Sequence, residues 1–198
     1  MLYSTGVDPY LNPKTGIFIN SLGIDTQTEL DKAEADISSV VLAALPDNPI
    51  TGDFDLLHLR AIHKALLGSL YTWAGQLRTV EMTKGTTRFA NPEFLEKSAS
   101  ELFIELHNEN FLCGLQYEQY LQRLAHYYSE VNILHPFREG NGRTQRTFFT
   151  LLAAKAGYII KWNLMDIDEN LEASISAYNG DELALTKMFA KIVDFKGN

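Results

Sequence analysis

The chain has 198 residues and a single cysteine, Cys113, so no internal disulfide is possible and a reducing compartment suits it. It also lacks a long apolar run. The longest, around Val40 to Leu45, is far shorter than the roughly 20 residues that span a bilayer. Positive charge is scarce: 17 Lys and Arg stand against 25 Asp and Glu, a net charge of -8. That balance excludes a general nucleic-acid or membrane-surface binder and leaves room only for a local basic cluster around a small anion. The first residues, MLYSTGVDPYLNPKTG, are polar and lack the charged-then-apolar layout of a secretion signal. There is no repeat and no low-complexity segment. The expectation is a cytoplasmic protein, or one delivered by a route that leaves no N-terminal mark, with neither nucleic-acid nor membrane partners. What is present, 45% hydrophobic and 21% charged residues, is ordinary for one globular domain with a sizeable core.

Residues 1–24 read as an irregular arm and 25–198 as a single domain. Thr26 and Glu29 have capping-box spacing, which starts a helix running to Leu45. A loop, Pro46 to Gly52, separates it from a second helix over Asp53–Tyr71, with Leu56, Leu59, Ile62, Leu66 and Leu70 on one face. From Leu77 to Met82 apolar and polar residues alternate, Lys84-Gly85 turns, and Thr86 to Phe89 is again strand-like, which predicts one small hairpin. Asn91-Pro92 starts a helix that continues to about Asn108, with Asn as N-cap and Pro at the first helical position. Another helix covers 116–134, burying Tyr120, Leu124, Tyr127, Tyr128, Val131 and Leu134. Pro136 pushes His135 out of helical geometry and ends it. Further helices are expected over Arg143–Ala156, stopped by Gly157, and over Asp166–Tyr178 and Glu182–Phe195. The fold class is all-α with one hairpin.

The chemistry concentrates in twelve consecutive residues, His135-Pro136-Phe137-Arg138-Glu139-Gly140-Asn141-Gly142-Arg143-Thr144-Gln145-Arg146. Two glycines bracket an asparagine just before a helix. Glycine lets the backbone fold tightly and aim N–H groups at one spot, and the helix start adds free N–H groups and partial positive charge. Together they make a phosphate cradle. Arg143 and Arg146 lie in the first turn on one face, where cations oppose the helix dipole unless an anion sits between. Two arginines and a glycine nest suit a polyphosphate. Glu139 beside them would repel such a ligand unless a hard cation such as Mg²⁺ bridges the two. His135 is a candidate base near neutral pH, and Phe137 an apolar pin for the loop. Each residue alone has a plain structural reading: a structural histidine ahead of a proline, a turn, arginines paired with surface acids. Their concentration carries the functional one. Elsewhere, His58 and His63 lie five apart with no matching acid, so they do not read as a zinc site. His58, His107 and His126 read as ordinary helix residues, and Cys113 as packing.

This run matches the Fic family motif, H-x-F-x-D/E-G-N-G-R-x-x-R, at every fixed position. Tyr71-Thr72-Trp73-Ala74-Gly75-Gln76-Leu77-Arg78 resembles the segment leading into the family's target-binding flap, and Asp8-Pro9-Tyr10 and Trp162 resemble residues of short stand-alone Fic toxins. The resemblance implies a helical core with one β-hairpin flap over the active-site loop, and a protein adenylyltransferase. His135 would take the proton from a Tyr, Thr or Ser hydroxyl of a target protein. Glu139 would hold Mg²⁺ on ATP. Gly140, Asn141 and Gly142 would bind the phosphates, with Arg143 on the γ-phosphate and Arg146 in support. Flap residues Thr79, Val80, Met82, Lys84, Gly85 and Phe89 would register the target as an added strand, although packing explains Val80, Met82 and Phe89 equally well. Tyr178 and Asn179 would lie near the adenine.

AMP transfer has three alternatives. Relatives that phosphorylate targets replace the second glycine and the arginine, whereas Gly142 and Arg143 are kept here. Removal of AMP needs an inhibitory glutamate. A non-catalytic docking module needs neither His135 nor Glu139. Fic enzymes are commonly restrained by a helix of pattern S/T-x-x-x-E-G/N, whose glutamate would pair with Arg143. Glu109-Asn110, Glu139-Gly140 and Glu169-Asn170 are preceded four residues earlier by Glu105, His135 and Met165, so the pattern is absent. The resemblance therefore implies that a separate small antitoxin supplies that helix. The expected targets are the ATPase subunits of bacterial type II topoisomerases.

Overall fold

The computed structural model describes residues 2–3, 8–85 and 87–196. Thr86, read from the sequence as the start of the second flap strand, and residues 4–7 of the arm lie outside the described residues. Helix α1 (Gln27–Ala44) follows Thr26, whose hydroxyl donates to Glu29 Oε2 at 2.6 Å instead of capping the backbone. It buries only Leu30, Glu34 and Ser38, spaced four apart on one face. Helix α2 (Leu56–Leu67) starts later than Asp53, because Asp55 is the cap: its carboxylate accepts the His58 N–H at 2.8 Å. Its apolar face is the expected one, with Leu70 buried just beyond it.

Asn91 caps as anticipated, accepting from the Glu93 N–H at 3.0 Å, and Pro92–Phe94 form a single 3₁₀ turn that leads into α3 (Leu95–Asn108). Helix α4 (Tyr117–Leu134) buries all six residues assigned to its inner face and touches α3, α5, α6 and α7, which makes it the hub of the core. Its partner α5 (Asn141–Ala156) begins two residues earlier than the sequence suggested and ends at Gly157, whose φ of +89° is the left-handed stop. Helices α6 (Ile167–Tyr178, capped by Asp166) and α7 (Leu183–Ile192) close the bundle.

The flap strands are β2 (Thr83–Lys84) and β3 (Thr87–Arg88), antiparallel with Thr83 opposite Arg88. Strand β1 (Leu2–Tyr3) adds to the free side of β2. Residues 77–82, expected as a strand, do not form one. Their backbone is bonded elsewhere: the Arg78 N–H donates to Pro136 O at 2.9 Å and the Thr79 N–H to the Tyr10 hydroxyl at 3.1 Å. A second small ladder was not anticipated. Strands β4 (Tyr158–Ile160) and β5 (Val193–Phe195) pair antiparallel, so the last helix stops at Ile192 and not at Phe195. Val193 takes extended geometry there, φ -96° and ψ 137°. The helical core with a hairpin over the loop is otherwise the expected one.

Candidate active site

The loop from His135 to Gly140 is held in an over-determined shape. His135 caps α4 in the left-handed region, φ 43° and ψ 58°, which costs roughly 1–2 kcal/mol for a residue with a Cβ. Phe137 is buried and stacks on the His63 ring, with centroids 3.9 Å apart and planes at 11°. This is the pin read from the sequence. The Asn141 side chain closes the loop, accepting from the Phe137 N–H at 2.9 Å and donating to Phe137 O at 2.7 Å. Its amide is thus engaged within the loop. The backbone N–H groups of Asn141, Gly142 and Arg143 make no hydrogen bond among the described residues. Gly140 has φ +76°, and a Cβ there would stand 2.4 Å from Leu67 Cδ1, so the position requires glycine. His63 fixes the far end of the loop. Its Nε2 lies 2.9 Å from Glu139 O, and its Nδ1 accepts the Gly75 N–H at 2.7 Å. The proton is therefore on Nε2. Arg138 anchors the loop to the arm through a buried ion pair with Asp8 at 2.7 Å.

Beneath the flap lies a cavity of about 460 Å³ lined by His135, Glu139, Asn141, Gly142 and Arg146, with Lys84 and Phe89 from the flap side. Of the loop residues assigned from the sequence, His135, Glu139, Asn141, Gly142 and Arg146 come together here, while Gly140 and Arg143 do not line this space. The cavity also takes in residues that sequence reasoning missed: Tyr128 and Asn132 from α4, Gln145 from α5, and Asn170, Leu171, Ser174 and Ile175 from α6. Tyr128, Asn132 and His135 share one helical face at spacings of four and three, and a polar Asn132 on that face was the available signal. Tyr178 and Asn179 do not line the cavity. The Tyr178 hydroxyl donates to Arg88 O at 3.2 Å and Asn179 Nδ2 to Ile175 O at 2.9 Å; one turn earlier, Ser174 and Ile175 face the space. In the flap segment, Phe89 stacks on the His135 ring at 3.8 Å and Met82 is buried, while Gly85 supplies the turn at φ +60°. Val80 is half-buried, and Thr79 bonds the arm through Tyr10.

Burial, followed by the charges of Arg78, Lys84 and Arg138, lowers the His135 pKa to about 3. The Asn132 carbonyl opposes this shift without closing a hydrogen bond to Nδ1, which has no partner among the described residues. The imidazole is neutral at physiological pH, as a base must be. Burial raises the Glu139 pKa, and nearby Glu34 adds to that, while the Gly140 N–H, donating to its Oε1 at 2.8 Å, pulls the other way. Glu139 also lines a second cavity, of about 440 Å³, together with Glu34, Arg143 and Arg146. One costly carboxylate beside a polyphosphate-sized space suits Mg²⁺, which takes one or two protein carboxylates and completes its shell with phosphate oxygens and water.

The arginines depart from the sequence reading. Arg143 is not free for a γ-phosphate: its guanidinium is ion-paired with Glu34 of α1 and reaches Ser38 Oγ at 3.1 Å. Glu34 also accepts the Tyr71 hydroxyl at 2.5 Å. Arg146 makes no ion pair among the described residues and lines both cavities. Glu34 escaped notice because it carries none of the S/T-x-x-x-E-G/N pattern. Its signal was subtler, since two of the three residues that α1 buries are polar. On the α4–α7 seam His126 Nδ1 lies 3.0 Å from Glu182, an interhelical contact and not part of the site. His58 is a packed core residue bonded to Ile50 O at 2.8 Å.

A family model described as Fic/DOC family matches residues 53–153, which hold the loop, α2 and the flap. The chain belongs to the Fic/DOC family. It is 41% identical over 179 residues to Protein adenylyltransferase VbhT of Bartonella schoenbuchensis, covering 90% of this chain and 37% of that protein. It is 39% identical over 191 residues to the Salmonella typhimurium protein named Probable protein adenylyltransferase Fic, covering 96% of this chain and 94% of that one. Among solved structures, the N-terminal Fic domain of a Bartonella quintana protein with bound ADP superposes with a TM-score of 0.87 at 26% identity, covering 94% of this chain and 95% of that one. With these Fic relatives, the chain is an enzyme of the protein adenylyltransferase class.

Proposed function

We propose that the chain transfers AMP from ATP to a hydroxyl side chain of another protein, with His135 as the base. The observation that carries this reading is the convergence on one cavity of a neutral His135, unbonded N–H groups at the start of α5, Glu139 and Arg146. The free N–H groups and Arg146 bind the phosphates and absorb charge developing on them. When bound on Glu139, Mg²⁺ supplies positive charge to the phosphate oxygens. His135 removes the proton of the attacking hydroxyl. The oxygen bonds to the α-phosphorus, the bond to the pyrophosphate breaks, and AMP remains on the target. The gain is mostly positioning and electrostatics. The flap offers backbone for the target to pair with.

In this reading the chain is the toxin of a toxin–antitoxin pair, cytoplasmic, with bacterial type II topoisomerase ATPase subunits as targets. No helix among the described residues is long and apolar enough to cross a membrane. An apolar groove of about 580 Å³, lined by Leu42, Leu45, Leu151 and Trp162 and reaching Arg143 and Arg146, suits an antitoxin helix bearing the S/T-x-x-x-E-G/N glutamate. Because Glu34 already holds Arg143, the incoming carboxylate pairs with Arg146. Incubation with α-labelled ATP and bacterial lysate, followed by mass spectrometry of the labelled band, tests the transfer. Co-expression with the neighbouring reading frame tests the antitoxin: unchanged toxicity and no recovered partner would defeat that part.

A further inference from the structure

Arg78 is among the most deeply buried side chains in the protein, 2% exposed, and it has no carboxylate partner among the described residues. The carboxylate whose charge acts on it, Glu81, is bonded to Arg88 at the surface. A buried cation is costly unless its donors are met. Here backbone carbonyls meet them. Nε donates to His135 O at 2.8 Å, Nη1 to Val80 O at 2.6 Å, and Nη2 to Ala90 O and, at 3.3 Å, to Leu134 O. The Arg78 backbone N–H also donates to Pro136 O.

These acceptors belong to two parts of the active site. Val80 and Ala90 are the two feet of the flap. Leu134 and His135 are the last turn of α4 and the base itself, where the carbonyls carry the negative end of the helix dipole and welcome a cation. Only the planar guanidinium, with five donors in a fixed fork, reaches all of them; a lysine ammonium is a point charge on a flexible stem. Packing alone would be served by an apolar side chain. Arg78 lines neither cavity, so its side chain does not face the space assigned to the nucleotide.

We propose that Arg78 is a positioning residue that locks both feet of the flap to the left-handed His135, so that a hydroxyl carried on the flap meets the base in register. The inference rests on the transfer reading above, because registering a flap-borne hydroxyl serves that reaction. The side chain fixes His135 against relaxation from its strained backbone geometry, and it holds the flap feet at one distance from the ring. A displacement of about 1 Å at such a place costs on the order of 100-fold in rate.

The experiment compares the full chain with Arg78→Lys, which keeps the charge, and Arg78→Met, which keeps the bulk. Three properties are measured: binding of a non-hydrolysable ATP analogue by calorimetry, label transfer from α-labelled ATP to lysate protein, and amide exchange along the chain. Arg78→Lys should bind the analogue as the wild type does, lose on the order of 100-fold in transfer, and exchange faster at 80–90 and 133–137 while α6 and α7 are unchanged. Arg78→Met should show the same pattern with a larger loss. Wild-type transfer by Arg78→Lys would overturn the proposal, as would parallel loss of analogue binding and exchange protection throughout the chain. If the wild type itself transfers no label, the catalytic reading fails, and the exchange pattern alone then decides whether Arg78 locks flap to loop.

Discussion

Glu34 on α1 and Arg143 on α5 are joined by an ion pair that the Tyr71 hydroxyl and Ser38 complete from either side. One of the two arginines proposed to bind phosphate is therefore tied to the protein's own first helix. Glu34 is buried and Arg143 is 23% exposed beside the second cavity, so removing the acid leaves a partly shielded charge. Glu34→Ala should destabilise the fold by about 1–2 kcal/mol, read as a lower denaturant midpoint. It should also free Arg143, tightening binding of an ATP analogue about tenfold while leaving AMP affinity unchanged. Equal effects on both nucleotides would mean that Arg143 does not reach the outer phosphates.

His135 is kept neutral by burial and by nearby cations, with a pKa of about 3. Its basic form is the populated one everywhere above that value. The pH profile of kcat/KM should therefore show no fall on the acid side near 6.5, the ordinary histidine value. An acid limb at 6.5 in the wild-type profile would show a base far more exposed than the structure has it.

His63 is neutral and fully buried, and its pKa is lowered to about 4 from 6.5, chiefly by burial. The unfolded chain binds its proton first. The stabilisation is thus complete above pH 6.5 and is lost as pH falls through 4, a swing of roughly 3 kcal/mol. His63→Gln should flatten that part of the stability curve. An unchanged slope in urea melts across this window would show that His63 is not the titrating group.

Gly140→Ala should fail for steric reasons. The added Cβ would meet Leu67, and φ of +76° is unfavourable for alanine. A cost of roughly 1–3 kcal/mol is expected, with weakened ATP-analogue binding because the start of α5 moves. Normal binding by a well-folded variant would show that the cradle tolerates the shift.

Much of this site was legible in the sequence because its parts are consecutive. His135, Phe137, Glu139 and the two glycines act through local geometry, which the order of residues dictates. Helices with long apolar faces, such as α4, were legible for the same reason. What stayed hidden depends on side chains far apart in sequence. Glu34 meets Arg143 across 109 positions. Arg78 binds the carbonyl of a residue 57 positions away, and the bonds it makes turn an apparent strand over 77–82 into an irregular span. The β4–β5 ladder likewise joins distant segments, and its three-residue strands are too short to show a period. The cavity-facing residues of α6 sat one turn from the pair chosen on resemblance, because nothing in the sequence fixes the rotation of a helix about its axis.

The most direct test is a paired labelling experiment with wild-type chain, Mg²⁺ and target protein, using ATP labelled on the α-phosphate in one arm and on the γ-phosphate in the other. Label is expected on the target from the α arm only, none from the γ arm, and none from either with His135→Ala, although that variant still binds the ATP analogue. Label on the target from the γ arm would contradict AMP transfer.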